Sequence, residues 1–140
     1  MTAWWVLVAG AVVVAVLLRR RYVTATVRGN SMSPTLLDGT RVVATRADEY
    51  RVGDIVVFRA KRAVRGDPGC RIKRVAAIGG EPAPAWLGLP DPTVVPPGCL
   101  VVAGDNPHSQ GSRQLGFIPL TVVLGRVTRV LSSSRAVSRT

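Results

Sequence analysis

Residues 3–18 (AWWVLVAGAVVVAVLL) form an unbroken apolar run, and from residue 22 onward the pattern breaks into short Val- and Ile-rich stretches separated by turn residues. At about 1.5 Å per residue, an opening helix of some 18 residues spans about 27 Å, close to the ~30 Å hydrocarbon core of a bilayer. Trp4-Trp5 stand at one end of the run and Arg19-Arg20-Arg21-Tyr22 at the other, the arrangement of interfacial aromatics and snorkelling cations that flanks a span. A cleaved secretory signal needs its basic stretch before the apolar run and a small-residue cleavage site after it. Here the basic residues follow the run and no A-x-A pattern does, so residues 1–21 are expected to be an uncleaved transmembrane anchor with its basic flank. Three arginines after the span and none before it favour a cytoplasmic downstream domain under the positive-inside tendency.

Past the anchor, β-type runs cover residues 22–28, 40–46, 55–60, 71–78, 99–103 and 121–131. Most alternate at least in part, and turn residues bound them: Asp38-Gly39, Gly53-Asp54, Gly79-Gly80, Pro96-Pro97-Gly98. No later window sustains a 3.6-residue period, though residues 33–36 suit a short helical turn. The pattern therefore predicts a small, mainly antiparallel β domain over residues 22–131 and a flexible basic tail over 132–140. Two stretches read as loops. Residues 81–97 hold six of the ten prolines around one apolar island, Ala85-Trp86-Leu87-Gly88-Leu89, and residues 104–119 are polar and Gly-rich.

Composition narrows the function classes. At 140 residues and 14.9 kDa the chain has room for one small domain. The formal charge is +11, and 17 of the 19 cations are Arg. A basic surface can meet nucleic acid or anionic lipid, but the arginines are scattered and aromatics make up only 5%, which leaves no stacking platform for bases and argues against a nucleic-acid partner. The two cysteines have the wrong spacing for a zinc site and a single histidine excludes multi-histidine metal catalysis, and nothing calls for a cofactor. Cys70 and Cys99 read as small buried residues or as a disulfide pair.

Among the hydroxyls, Ser31 stands apart. It lies in Gly29-Asn30-Ser31-Met32-Ser33-Pro34-Thr35-Leu36, directly after a predicted strand. A sharp turn there, permitted by Gly29 and fixed by Pro34, can present a hydroxyl and a backbone N–H together, as a nucleophile and an oxyanion donor require; a plain turn explains the same residues. A serine needs a base. His108 follows a proline in an exposed-looking loop, arginine does not deprotonate near neutrality, and Lys61 sits beside a charged loop. Lys73 shares its strand face with Val75 and Ala77, so an apolar site can lower its pKa toward the useful range. Ser31 with Lys73 is the candidate dyad, a variant of the triad logic.

Four ordered motifs then carry a resemblance: the Ser31 turn, the VGDIVVF run of residues 52–58, Arg71-Ile72-Lys73-Arg74-Val75, and Gly104-Asp105-Asn106 followed by Ser112-Arg113 and Gly116-Phe117-Ile118-Pro119. Together they resemble type I signal peptidases, membrane-anchored Ser/Lys endopeptidases. The resemblance spans residues 22–130. It implies a β-barrel-like fold shared with self-cleaving repressor proteases, Ser31 as nucleophile and oxyanion donor, Lys73 as general base, and Ser109 orienting the lysine amine. Asp105, Ser112 and Arg113 would support the loop beneath the site. The implied substrates are exported preproteins with small residues one and three positions before the cut. The implied setting is the plasma membrane, with the lipid bilayer as partner and the catalytic domain outside the cytoplasm, opposite to the reading of the arginine cluster.

Two further departures mark this chain. Gly29 replaces a hydroxyl that many members carry two residues before the nucleophile, so a backbone donor or Asn30 must complete the oxyanion site. Ser109-Gln110-Gly111-Ser112-Arg113 has Gly111 where the common loop has an acid, which leaves Arg113 to pair with Asp105. A self-cleaving Ser/Lys regulator and a catalytically inactive anchored binding module are the alternatives.

Overall fold

The computed structural model describes residues 3–60, 69–108 and 111–132. Helix α1, Ala3–Arg21, is 19 residues long and buries none of them. From Ala3 to Leu18 its side chains are apolar all round, with Arg19, Arg20 and Arg21 confined to the last turn. It is long and apolar enough to cross a membrane. The first strand begins at the next residue, Tyr22, and the Arg46 N–H donates to the Arg21 carbonyl at 2.9 Å, tying the helix end to the domain.

Seven antiparallel strands follow in one sheet: β1 Tyr22–Thr26, β2 Arg41–Thr45, β3 Ile55–Arg59, β4 Cys70–Ile78, β5 Cys99–Ala103, β6 Ile118–Pro119 and β7 Val123–Ser132. Their spatial order is β1-β2-β7-β3-β4-β5-β6, with β1 and β6 at the two edges. The sheet is open rather than closed, which corrects the barrel-like expectation: no ladder joins its two edge strands. The mainly β, antiparallel reading holds. The six strand runs seen in the sequence are all present, while β6 and a four-residue helix α2, Ser112–Leu115, lie inside what reads as the second loop.

Strand β3 explains why the apolar runs lack strict alternation. Val56, Val57 and Phe58 are all buried because a core lies on each face. Val56 and Phe58 join Tyr50, Val75, Leu100 and Val102 on one side. Val57 joins Val27, Met32, Leu36, Val42 and Ile72 on the other. The Pro-rich stretch is not a free loop. Ala83 N–H donates to the Thr93 carbonyl, Val95 N–H to Glu81, and Pro82 bridges Val94, so it folds back as a small ribbon. Its apolar island divides: Leu87 packs beside the buried Val95 and Val101, while Trp86 and Leu89 are exposed. Apart from Ser132, which ends β7, the predicted tail lies outside the described residues, as do Lys61 and Ser109.

Candidate active site

The Ser31 turn is held from below and from both ends. Met32 is fully buried and Leu36 nearly so in the second core, and one helical bond, Leu36 N–H to the Met32 carbonyl, links them at 2.9 Å. The Ser33 N–H donates to the Asn30 carbonyl at 3.1 Å. At the entry, Gly29 has φ +76°, a conformation that residues with a Cβ adopt at a cost, and its N–H donates to Asp38 Oδ1 at 2.8 Å. Burying Met32 thus fixes where its neighbour Ser31 lies, half-exposed at the rim.

Lys73 sits on β4 opposite Val56 of β3. Lys73, Val75 and Ala77 alternate as buried residues, as the sequence pattern predicts. Only 4% of Lys73 is exposed. Burial, and secondarily the charge of Arg71, pushes its amine below the ordinary lysine range, because both disfavour the protonated form.

A cavity of about 200 Å³ opens beside the serine. It is lined by the end of β1 and the two residues after it, Val27 and Arg28, by Ser31, and by Cys70, Arg71 and Ile72 of β4. Cys70 and Ile72 point to one face of β4 and Arg71 to the opposite one. Lys73 follows in the chain on the Arg71 face. Among the hydrogen bonds of the described residues none joins the Ser31 hydroxyl to the Lys73 amine, an arrangement common before substrate closes a site.

The loop after β5 ties these pieces together. The Asn106 N–H donates to the Ser31 carbonyl at 2.9 Å, and Asn106 Nδ2 to the Asn30 carbonyl at 3.0 Å. Its neighbour Asp105 accepts from Arg74 Nε and Nη2, each at 2.8 Å. Arg74 Nη1 also donates to the Gly53 carbonyl at 2.8 Å. The Arg74 hydrogen bonds, with a further one from Thr35, hold the Asp105 carboxyl below its ordinary range. Arg74, one residue past Lys73, is thereby linked through Asp105 and Asn106 to the turn that carries Ser31.

This corrects the expected pairing of Arg113 with Asp105: both carboxylate oxygens are taken by Arg74, and Arg113 is exposed beside Trp86 and Asn106. Ser112 is buried and its Oγ accepts from the Val102 N–H at 2.8 Å, pinning α2 to β5. Gly111 is accounted for by space. A Cβ there would stand 2.7 Å from the Val102 carbonyl oxygen and 3.1 Å from Ala103 Cα, so the loop lies against β5 more closely than an acidic residue allows. Gln114 caps it, accepting from the Gly111 N–H at 3.0 Å.

His108 is exposed, its N–H donating to Asn106 Oδ1 at 3.0 Å. Both cysteines are free thiols. Cys70 opens β4, where it pairs with Arg59, and Cys99 opens β5 beside the far end of β4, since its neighbour Leu100 pairs with Ile78. At ~3.3 Å per residue that is over ~20 Å, far beyond disulfide reach. No cluster of metal-ligating side chains occurs among the described residues. Roles for Arg74, Thr35, Asn106, Arg28, Cys70 and Arg71 are what sequence reasoning missed. Asn106 and Arg74 stand inside the quoted motifs, but only the fold shows what they bind.

Compared with known proteins, residues 1–83 match the family described as signal peptidase, peptidase S26. The matched span is more than half of the chain and contains both Ser31 and Lys73; Asp105, Ser109, Ser112 and Arg113 lie beyond it. Among curated proteins the comparison finds no match.

Proposed function

Because the chain belongs to the signal peptidase S26 family, a family of signal-peptidase-type proteases, we propose that it is a membrane-anchored serine endopeptidase that cuts signal peptides from exported preproteins with Ser31 and Lys73. The observation that carries this reading is a lysine 4% exposed, with its amine held toward the neutral form, on the strand that walls the cavity beside Ser31.

The chemistry follows from these two groups. The neutral Lys73 amine takes the proton from Ser31 Oγ as that oxygen attacks the scissile carbonyl carbon. The Ser31 backbone N–H and Asn30 stabilise the oxyanion, doing the work for which many relatives use a hydroxyl at the position of Gly29. The Lys73 ammonium then gives its proton to the leaving amine, and the C–N bond breaks to leave an acyl-serine. Water, deprotonated by Lys73, attacks the ester; the acid product departs and Ser31 regains its proton. Ser109 orients the amine, as the resemblance implies. Lysine serves where histidine would elsewhere because its site is dry; no charge relay to an acid is needed.

Residues 22–131 form the catalytic domain in this reading, and α1 anchors it with the domain outside the cytoplasm, where preprotein cleavage sites emerge. Incubating the purified chain in detergent with a panel of preproteins and sequencing the new amino termini tests it. New termini that follow small residues at positions one and three, lost in Ser31→Ala and Lys73→Ala, are the expected result. Full cleavage by either variant overturns the mechanism.

A further inference from the structure

All eight acidic residues of the chain lie between Asp38 and Asp105. Residues 1–37 and 106–140, which supply α1, β1 and β7, hold arginines and no acid. Folding turns this segregation into a surface. Strands β1, β2 and β7 lie side by side at one edge of the sheet. Val23, Ala25, Val42 and Ala44 face the second core, so alternation sends Tyr22, Thr24, Arg41, Val43 and Thr45 to the outer face. Register sets Thr24 beside Val43 and Val43 beside Arg129, and Thr45 and Thr128 share a hydroxyl hydrogen bond of 2.9 Å. Tyr22, Val43, Thr45, Thr128, Arg129 and Leu131 line a hollow of about 560 Å³ there, in which Tyr22 and Leu131 are exposed. No carboxylate is among these lining residues, and no ion pair of the described residues engages Arg41 or Arg129.

The hollow starts where the membrane helix stops. Tyr22 follows Arg21, the last residue of α1, and the bond from the Arg46 N–H to the Arg21 carbonyl holds the end of β2 at that junction. A helix that spans the hydrocarbon puts a basic last turn among the headgroups. The row of Thr24, Val43 and Arg129 lies two residues beyond Tyr22, about 7 Å at ~3.3 Å per residue. The headgroup layer is about 5–7 Å deep on each side, and a long arginine stem spans the remainder. Arg129 is therefore within reach of lipid phosphates even where β1 rises straight from the bilayer. A tyrosine ring beside Val43 and Leu131, with arginines at the rim, suits such a surface, and guanidinium groups take phosphate in two-point fashion. A second copy presenting the same acid-free face would set like charge against like, whereas an anionic leaflet supplies the missing sign.

We propose that the outer face of β1, β2 and β7 docks on the bilayer that α1 crosses, with anionic phospholipid headgroups as its ligand and Tyr22, Arg41 and Arg129 as the contacts. The inference rests on α1 spanning a membrane and is independent of the chemistry at Ser31. The anchor needs only hydrocarbon; this face needs a headgroup of one sign, so lipid composition sets how the domain lies on the membrane.

The test uses the full chain, isotope-labelled, in lipid nanodiscs that hold a trace of phosphatidylcholine with a nitroxide on its headgroup. Paramagnetic broadening of each backbone amide then reports how close it lies to the headgroups. At Thr24, Val43 and Arg129 the broadening is expected to be about threefold stronger, or more, in discs with about 30% phosphatidylglycerol than in phosphatidylcholine alone, the difference falling as salt rises. Val101 and Val102 of β5 should not follow. Arg41→Gln with Arg129→Gln should remove the increase and leave the other amide signals in place, both side chains being exposed. Thr24→Glu, which sets a carboxylate on the same face, should remove it in a chain that keeps every arginine. Equal broadening in the two lipids overturns the proposal, as does a phosphatidylglycerol effect that outlives these variants or falls on the ribbon around Trp86 instead. Broadening that appears without the nitroxide lipid and grows with two chains per disc would assign the face to a second copy and overturns it too. A chain that does not enter the discs overturns the face together with the anchor. Peptide cleavage by the same samples is read separately: no cleavage with the lipid effect intact sinks the protease reading alone.

Discussion

Arg74 and Asp105, 31 residues apart in the chain, meet through two parallel hydrogen bonds of 2.8 Å, and this pair joins the lysine strand to the serine turn. Arg74 follows Lys73 directly, and Asp105 precedes Asn106, whose backbone and side chain hold Ser31 and Asn30. The pair is partly exposed, so solvent weakens it; its two-point geometry and the third bond to Gly53 give it more value than an ordinary surface contact. Asp105→Ala is expected to cost about 1–2 kcal/mol of stability and to lower cleavage more than unfolding accounts for, because the Ser31 turn loses its tether. Comparing the variant's cleavage rate with its fraction folded at one temperature checks this; a rate that simply tracks the folded fraction contradicts it.

The same pair sets a pH dependence for stability. Asp105 binds its proton less readily in the folded chain than in the unfolded one, so the unfolded state takes up protons first as pH falls. The stabilisation is present in full above the ordinary carboxylate range and is lost as pH falls through the depressed folded value. Thermal unfolding followed from neutrality into acid should show a steeper decline for the unaltered chain than for Asp105→Asn, and parallel curves would contradict the assignment.

For catalysis the sign is opposite in origin but also rises with pH. Lys73 acts only when neutral, and burial first, then Arg71, pushes its amine below the ordinary lysine range. The cleavage rate should therefore climb with pH and level off before that ordinary range is reached. Arg71→Gln removes the lesser cause and should move the climb to higher pH without carrying it all the way back. kcat/KM against pH for a neutral peptide measures both; a profile that Arg71→Gln leaves in place contradicts the electrostatic account.

Lys73 was legible in the sequence because one strand face repeats every second residue, and Val75 and Ala77 mark that face as apolar. Burial of Ile72 on the other face was not, since no local pattern reveals that β3 and β4 carry a core on each side. Strand β6 has two residues and α2 has four, too short for any period to register; they exist because β5 offers Cys99 and Leu100 as partners and Val102 N–H as donor. The choice of Arg74 over Arg113 for Asp105 is likewise a matter of tertiary placement, with both cations within reach in sequence terms. Whether the sheet closes depends on its two edge strands, whose meeting no local signal encodes.

Two glycines that depart from the family pattern should respond differently when the usual residue type is restored. At Gly29 there is open space for a Cβ, but φ is +76°, so Gly29→Ser should cost about 1 kcal/mol from backbone conformation alone. At Gly111 the Cβ meets the β5 backbone at 2.7 Å, and Gly111→Asp should cost about 1–3 kcal/mol because the loop must lift from the strand. Amide exchange distinguishes the two causes: Gly111→Asp should speed exchange at Val102, whose N–H is held by Ser112, and Gly29→Ser should not. Unchanged exchange at Val102 in Gly111→Asp contradicts the close-packing account.

Activity and stability should part company at Lys73. Burying an amine among Val56, Val75 and their neighbours lowers its pKa, which means that the folded state binds this proton less readily than the unfolded state. In the interval between the folded and unfolded pKa values the unfolded chain holds more protons, so stability rises with pH there, and below that interval the buried charge is a standing cost. Lys73→Met keeps the length and apolar stem of the side chain and removes the charge. It should abolish cleavage, by about 10⁴-fold or more, yet raise the unfolding temperature near neutrality, with the gain shrinking as pH approaches the ordinary lysine range. Thermal unfolding of both proteins near neutrality and at about pH 10 measures this. A Lys73→Met chain that unfolds at a lower temperature at both pH values would show that the amine supports the fold through contacts of its own, and the picture of a strained, neutralised base would have to be abandoned.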